Sequence, residues 1–383
     1  MKNSNHLLRL GCAALLGGTI AAPLVAQAEE DAYKSFPMIY GREAKSSEDL
    51  TLIMGLEMQP TYTLYDRSGM APGTEDRSEF SFQRLRWYIK GSVTEDVDYL
   101  MVTEWARNAA TNSSAGGARA FRARATFRDL GGITNVAAGT IIVPFGHAFY
   151  APAGSAPWVN YTRMTSTLYG CGSISCEPDQ AEVIANIWKT GVMAFDQISF
   201  GADSSLTYTA GFYNSSGTRF QDDGDQKDFN GSLEFHKGPV FAHYGVRLGS
   251  QKIDGSERDR ERHAVVLRYN NHLKDTWWAW GEYMMGKDEM AAGADDRKAS
   301  GWELSAGYKI SPKYEVVLRH SQFDPNEDAD NDKFKETSLA LNYNMERGIR
   351  LQLQADQVEN DSGAVDDKVF TVRVTVPFAK KLM

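Results

Sequence analysis

The sequence has no run of apolar residues long enough for a membrane-spanning helix, which needs about 18 or more in succession. It also has little cysteine and little proline, with 3 and 12 residues respectively in a chain of 383. Only helices and closed β-barrels leave no backbone hydrogen-bonding group unpaired in lipid. If this chain enters a membrane, it must therefore do so as a barrel of strands.

Several motifs of common enzymes are also missing. The sequence contains no Gly-x-Ser-x-Gly, no His-Glu-x-x-His, no phosphate-binding loop and no Cys-x-x-Cys-His haem site. Asp and Glu (50) outnumber Lys and Arg (41), which gives a formal net charge of -9, and no basic tail is present. We therefore predict that the chain is not an enzyme, binds no cofactor and has no nucleic-acid partner.

Residues 1–28 have the pattern of a secretory signal peptide. Lys2 and Arg9 precede the apolar stretch 10–25, and the stretch ends at Ala26-Gln27-Ala28, an A-x-A cleavage site. We expect Sec export to the periplasm, followed by a polar periplasmic segment at 29–49. Lipidation at Cys12 is the alternative, but the apolar region follows this cysteine rather than preceding it.

Cys171 and Cys176 are the two cysteines that remain after removal of a signal peptide. An exported chain passes through an oxidising compartment, so the pair is predicted to form a local disulfide. A metal site is the alternative, but two thiolates without a nearby histidine make a poor zinc site.

The stretch Arg119–Leu130 alternates strictly between two kinds of side chain. In a strand, successive side chains point to opposite faces. One face would carry Phe121, Ala123, Ala125 and Phe127, and the other Arg122, Arg124, Thr126 and Arg128. A soluble sandwich could contain such a strand, with its arginines in bulk water.

The same alternation recurs along most of the chain, and this favours a transmembrane barrel with lipid outside and a wet lumen inside. About sixteen such runs fall within residues 50–378, before a short tail at 379–383. Short connections such as Gly238 take turns with long acidic ones such as 254–259. The predicted fold is all-β, an antiparallel up-and-down barrel wide enough for an aqueous channel. A soluble propeller or adhesin is the alternative.

Two further features support the barrel. The run from Phe370 to Phe378 alternates and resembles the terminal recognition strand of outer-membrane barrels. Aromatic residues near strand ends, among them Trp277, Trp278, Trp280 and Tyr283, are expected to form the belts at the two membrane interfaces.

Residues 145–186 break the alternation and are predicted to form the third external loop, folded into the lumen as a constriction. Its chemistry-bearing residues are His147, Arg163, Glu177, Asp179 and Glu182. His147 could titrate or bind solute, or could serve packing only.

Alternation places a set of basic residues on the inner wall opposite this loop. These predicted pore-lining and selectivity residues are Arg84, Arg86, Lys90, Arg122, Arg124 and Arg128. A basic wall across from an acidic loop would create a transverse field that filters ions. The alternative is that these charges only solvate a wide lumen.

Short motifs along the mature chain resemble the phosphate-selective porin O and P family. They are Phe82–Gly91, Gly139–Gly146, Lys189–Met193 and Tyr208–Asn214. The resemblance implies a sixteen-stranded barrel, usually a homotrimer, with the third loop folded inward. It does not by itself imply phosphate, and this chain has Ile142 where the family often has a lysine.

The sequence thus predicts a porin in the outer membrane of a Gram-negative bacterium, surrounded by lipid and lipopolysaccharide. It would pass small hydrophilic solutes by passive diffusion, with a preference for small anions. A sleeve around a multihaem electron carrier and an outer-membrane hydrolase are the alternatives.

Overall fold

The computed structural model describes residues 51–68, 76–106, 119–146, 156–170, 187–201, 203–215, 226–253, 256–290, 295–363 and 365–382. The predicted signal peptide (1–28) and the segment 29–49 lie outside these residues. The described part is almost entirely β-structure, and none of its helices is long and apolar enough to cross a membrane.

Sixteen strands form the fold. They are β1 Ile53–Ser68, β2 Arg77–Thr94, β3 Val97–Glu104, β4 Arg119–Leu130, β5 Thr134–Ile142, β6 Trp188–Ser199, β7 Ser204–Asn214, β8 Lys227–Lys237, β9 Val240–Ile253, β10 Ser256–Tyr269, β11 Trp277–Asp288, β12 Arg297–Lys309, β13 Tyr314–Asp324, β14 Phe334–Asn344, β15 Arg350–Asn360 and β16 Asp366–Lys381. An α-helical turn Arg163–Thr165, a π-helical turn Ser166–Gly170 and a 3-10 turn Glu346–Gly348 complete the described elements.

The strands follow one another around a closed antiparallel barrel, and β16 pairs with β1 to close it. The predicted antiparallel barrel of about sixteen strands is therefore confirmed. Ile53 pairs with Lys381, so β16 includes residues 379–381 of the tail predicted from the sequence.

The two ends of the barrel differ in their connections. Beside the Ile53–Lys381 pair, the turns are short, as at 95–96 and 238–239. At the opposite end, 105–118 joins β3 to β4 and 143–187 joins β5 to β6. Short turns face the periplasm and long loops face outside in bacterial barrels. The expected long loop at 254–259 is wrong, because β10 already begins at Ser256.

The outward faces form an apolar band. On β1 the outward side chains from Met54 to Leu64 are apolar, and the two residues are ten positions apart. At about 3.3 Å per residue and a tilt of about 40°, this stretch gains about 25 Å in height. This matches the lipid-facing band of about 25 Å in outer-membrane barrels. Further exposed apolar side chains on other strands include Phe212, Leu267, Leu304 and Leu318.

The inward faces are polar or aromatic, and they correct one expectation about the aromatic belts. Trp277 and Tyr283 point outward and are 48% and 46% exposed, as belt residues should be. Trp278 and Trp280 point inward and are buried at 0% and 3% exposure. They share the strand face of the buried Glu282, so they belong to the lumen and not to the belt.

A β-bulge in β2 places an additional side chain in the lumen. Gln59 pairs with Arg84, and Pro60 pairs with Phe82, so Gln83 is the extra residue. The bulge restores the outward direction of Phe82, which is 47% exposed. Gln83 therefore points into the lumen, where its Oε1 accepts a hydrogen bond from Arg373 on β16.

Candidate functional site

The described segment 156–170 of the third loop lies inside the barrel, against the inner wall of β10 to β16. We call this stretch the lumen segment. Its first part is held by hydrogen bonds to inward side chains: Val159 N donates to Gln354 Oε1 (2.5 Å), and Asn160 Nδ2 donates to Asp356 Oδ2 (3.0 Å). Arg319 Nη1 donates in turn to Asn160 O (2.8 Å). The backbone of a loop is thus paired with wall side chains rather than with water.

Arginines on the wall hold the same part of the lumen segment through its carbonyl oxygens. Arg373 donates to Trp158 O (3.1 Å) and Val159 O (3.2 Å). Arg350 Nη1 donates to Ala156 O (2.9 Å). A guanidinium offers five donors in a fixed fork, so one arginine can bind a carbonyl and a wall side chain at once. Arg373 does so, because it also donates to Gln352 Oε1 (2.6 Å) and Gln83 Oε1 (2.7 Å).

An indole cluster anchors the lumen segment near the end of the barrel that has the short turns. Trp158 meets Trp280 edge to face, with ring centroids 4.3 Å apart, and Trp280 lies 4.5 Å from Trp278. Trp278 Nε1 donates to Glu315 Oε1 (2.8 Å). Glu315 also pairs with Arg350 (3.1 Å). The cluster therefore combines ring packing with a buried ion pair that accepts an indole hydrogen bond.

The second part of the lumen segment packs through apolar side chains. Met164, Leu168 and Tyr169 are buried in one cluster with inward residues such as Met284. Tyr169 Oη donates to Val143 O (2.9 Å). Burial raises the pKa of the Tyr169 hydroxyl well above its ordinary value of 10.0, so this hydroxyl remains protonated and keeps its hydrogen bond.

Arg163, predicted as a residue of the constriction loop, lies in the lumen segment. Its backbone N donates to Glu336 Oε1 (2.7 Å), and its guanidinium lies over the Phe334 ring at 4.2 Å. The other predicted loop residues, His147, Glu177, Asp179 and Glu182, lie outside the described residues. The same holds for the predicted disulfide partners Cys171 and Cys176.

Two of the predicted pore-lining arginines form ion pairs. Arg86 is buried and pairs with Glu104 (2.6 Å), with Glu57 Oε2 at 3.9 Å. Arg128 is partly buried and pairs with Asp98 (2.5 Å). Neighbouring strands bring these acids to the arginines, and the pairs reduce the positive charge that Arg86 and Arg128 present to a passing ion.

The other four predicted basic residues are also on the inner face. Arg84 Nη1 donates to Gln59 Oε1 (2.6 Å), and Lys90 is buried. Arg122 lies over the Trp188 ring at 3.3 Å. Arg122 and Arg124 are both partly buried, so part of each side chain remains accessible in the lumen.

A second basic cluster, which the alternation of the early strands did not single out, lies on β9 and β10. Arg247 (2.8 Å) and Arg260 (2.5 Å) both pair with Asp228, and Arg262 pairs with Asp288 (2.5 Å). All five side chains are buried. Their charges are visible in the sequence, but Asp228 is on β8 and Asp288 on β11, so these ion pairs depend on strand register, which the alternation does not give.

Accessible charge on the described inner surface is predominantly positive. The partly buried basic side chains include Arg122, Arg124, Arg128, Arg163 and Arg268. The partly buried inner acids on the strands are Glu57, Glu79, Asp98 and Asp356. Glu57, Asp98 and Asp356 each lie within 4 Å of an arginine. In the described part of the lumen, arginine side chains therefore dominate the surface that a solute would meet.

No protein-family model and no curated protein sequence matches this chain. Solved structures do match it. An anion-selective porin from Comamonas acidovorans is similar with a TM-score of 0.63 at 14% identity, over 86% of this chain and 99% of that one. A trimer form of OmpT from Vibrio cholerae has a TM-score of 0.58 at 10% identity, over 85% and 99%. The outer-membrane channel DcaP of Acinetobacter baumannii has a TM-score of 0.57 at 13% identity, over 87% and 99%. At these identities the likeness establishes the fold, and the chain has the barrel fold of outer-membrane porins.

Proposed function

We propose that this protein is an outer-membrane porin that passes small hydrophilic solutes by diffusion and prefers anions. The observation that carries the proposal is a closed barrel with an apolar outer band and an inner surface on which accessible arginines predominate. The similarity to an anion-selective porin agrees with it. The signal-peptide pattern supports Sec export, and the trimer form of a similar barrel supports a homotrimer.

Phosphate is one candidate solute, through the resemblance to the phosphate-selective porin O and P family. Inorganic anions and small organic anions share the chemistry that accessible guanidinium groups recognise. The sleeve alternative fits less well, because the lumen segment is hydrogen-bonded to the inner wall and occupies space that a polypeptide guest would need.

The test is the reversal potential of single channels under a salt gradient in planar bilayers. Substituting both Arg122→Gln and Arg124→Gln removes two accessible positive charges and is expected to shift selectivity toward cations. One charge at about 4 Å in water contributes about 1 kcal/mol, which attracts an anion and repels a cation by about fivefold each. Removing it should therefore lower the anion-to-cation permeability ratio by about 25-fold to 30-fold per charge.

The matched control neutralises two acids in the external connection between β13 and β14. Asp328 and Asp330 are exposed there, and salt screens such charges over about 8 to 10 Å. Asp328→Asn with Asp330→Asn should therefore leave the reversal potential nearly unchanged. The proposed anion filter is refuted if the control shifts selectivity and the arginine variant does not.

A further inference from the structure

A groove of about 410 Å³ runs on the outer face of the barrel across β14, β15, β16 and β1. We call it the outer groove. Its floor is Ala355, which lies between Leu339 and Phe370 in the strand register. Leu64 follows Phe370 on the next strand. A methyl group between larger side chains leaves a depression, and Leu339 (54%), Phe370 (37%) and Leu64 (37%) present apolar surface along it.

A row of polar side chains closes one end of the outer groove. Thr337, Gln357, Lys368 and Asp66 are neighbours in register, one outward position above the apolar row. All four are exposed. They lie near the ends of β1 and β16 that lead toward the long connections, at the upper edge of the apolar band. The outer groove is therefore amphiphilic, with its polar end on the external side.

Lys368 differs from other lysines at this rim. Lys335 pairs with Asp361 (2.7 Å), and Lys333 pairs with Asp324 (3.2 Å). Within the described ranges, no ion pair involves Lys368, although Asp66 is its partner in register. An ammonium group attracts a phosphate, whereas an amide, a hydroxyl and a carboxylate bind sugar hydroxyls.

We propose that the outer groove binds one glycolipid of the outer leaflet, with an acyl chain over Ala355 and a phosphorylated sugar headgroup at Lys368. The inference rests on the proposed outer-membrane location. The mixed donor set and the external position of the polar end favour this occupant. Phosphatidylethanolamine can pair its phosphate with Lys368 and its ammonium with Asp66, but it offers no sugar hydroxyls to Gln357 and Thr337, so it is the comparison ligand in the test.

The test is native mass spectrometry of the purified full-length barrel titrated with hexa-acylated lipid A. Ala355→Trp fills the floor of the outer groove and is expected to weaken binding at least tenfold. Ala306→Trp is the matched control, because Ala306 is an exposed outward alanine on β12, away from the outer groove. Heat-modifiable migration of both variants verifies that each barrel is folded.

A second, milder pair of variants tests the headgroup. Lys368→Gln is expected to weaken binding of bisphosphorylated lipid A severalfold and to have little effect on the dephosphorylated form. Lys298→Gln removes another exposed lysine from the external part of β12 and should change neither. Lys368→Arg keeps the positive charge and should bind bisphosphorylated lipid A as tightly as the wild type does.

Three results would overturn the proposal. The first is unchanged lipid A binding by both Ala355→Trp and Lys368→Gln. The second is binding of phosphatidylethanolamine as tight as that of lipid A. The third is dissociation of a native oligomer by Ala355→Trp, which would identify the outer groove as a subunit interface. Conductance is recorded on the same samples. Lipid A binding without conductance would contradict the porin function but not the lipid site in the outer groove. Conductance without lipid A binding would contradict only the lipid site.

Discussion

Arg373→Gln should release the lumen segment from the inner wall. The guanidinium of Arg373 is 1% exposed and donates to the carbonyl oxygens of Trp158 and Val159. A hydrogen bond from a charged donor contributes about 1.5 to 3 kcal/mol. Loss of two such bonds would therefore weaken docking of the segment by about 3 to 6 kcal/mol, which raises its local opening equilibrium by about two to four powers of ten.

Amide hydrogen exchange of peptides covering 156–162 measures this opening directly. The bonds that the segment forms with Gln354, Arg319 and Arg350 remain in the variant, so the barrel and its heat-modifiable migration should persist. Faster exchange should be accompanied by larger and noisier single-channel conductance, because the segment then leaves part of the lumen.

Two controls separate the geometry of Arg373 from its charge. Arg373→Lys keeps the charge but loses the fork that reaches both carbonyls, so it should resemble the glutamine variant in exchange. Arg268→Gln removes an inward arginine that lies over Phe241 and should leave exchange at 156–162 unchanged. If Arg373→Gln alters conductance while exchange stays at the wild-type rate, Arg373 acts only as a lumen charge.

Three further predictions concern the same lumen. Glu104→Gln removes the carboxylate that lies 2.6 Å from Arg86 Nε, so the reversal potential should shift in the direction of greater anion selectivity; a shift toward cation selectivity would contradict this. Cys171 and Cys176 are predicted to form a disulfide that shapes the loop, with about 2 to 3 kcal/mol of chain-entropy stabilisation; intact mass after thiol alkylation should show no free thiol, and two alkylated cysteines would refute it. Because the folded pKa of Tyr169 is raised, its contribution to docking of the lumen segment is fully present below the unfolded value of about 10 and is lost as the pH rises above it; after correction for base-catalysed intrinsic exchange, segment opening should increase with pH in the wild type and not in Tyr169→Phe, and an increase that persists in the variant would assign it to another group.

The strands could be predicted from the sequence because lipid and water impose a local, period-two pattern. β4 begins at Arg119 and ends at Leu130, which are the bounds of the alternating stretch in the sequence. β10 was predicted to begin too late, because its outward residues above the apolar band are charged: Glu257, Asp259 and Glu261 resemble a loop in composition. Local pattern thus identifies a strand only where the strand crosses the band.

The site depends on contacts that no local pattern encodes. Arg86 and Arg128 were correctly expected on the inner face, but their partners Glu104 and Asp98 come from β3 through strand register. The lumen segment has no alternation, and Arg373, which holds it, lies far along the chain. Trp278 and Trp280 are a different case: their strand parity with Glu282 was available in the sequence, and the belt interpretation overlooked it.

The pairing of β1 with β16 has a consequence for biogenesis. All the other strand pairings join consecutive strands, but this pairing joins Ile53 to Lys381 and Ser68 to Asp366. Contacts between distant residues form slowly, because the loop entropy is lost before the contact is gained. If the chain is exported as proposed, β1 leaves the translocation channel long before β16, and the outward leucines and aromatics of the incomplete barrel are then exposed to water and prone to aggregation. The proposed export therefore predicts that the polypeptide needs a chaperone until its final strand has emerged.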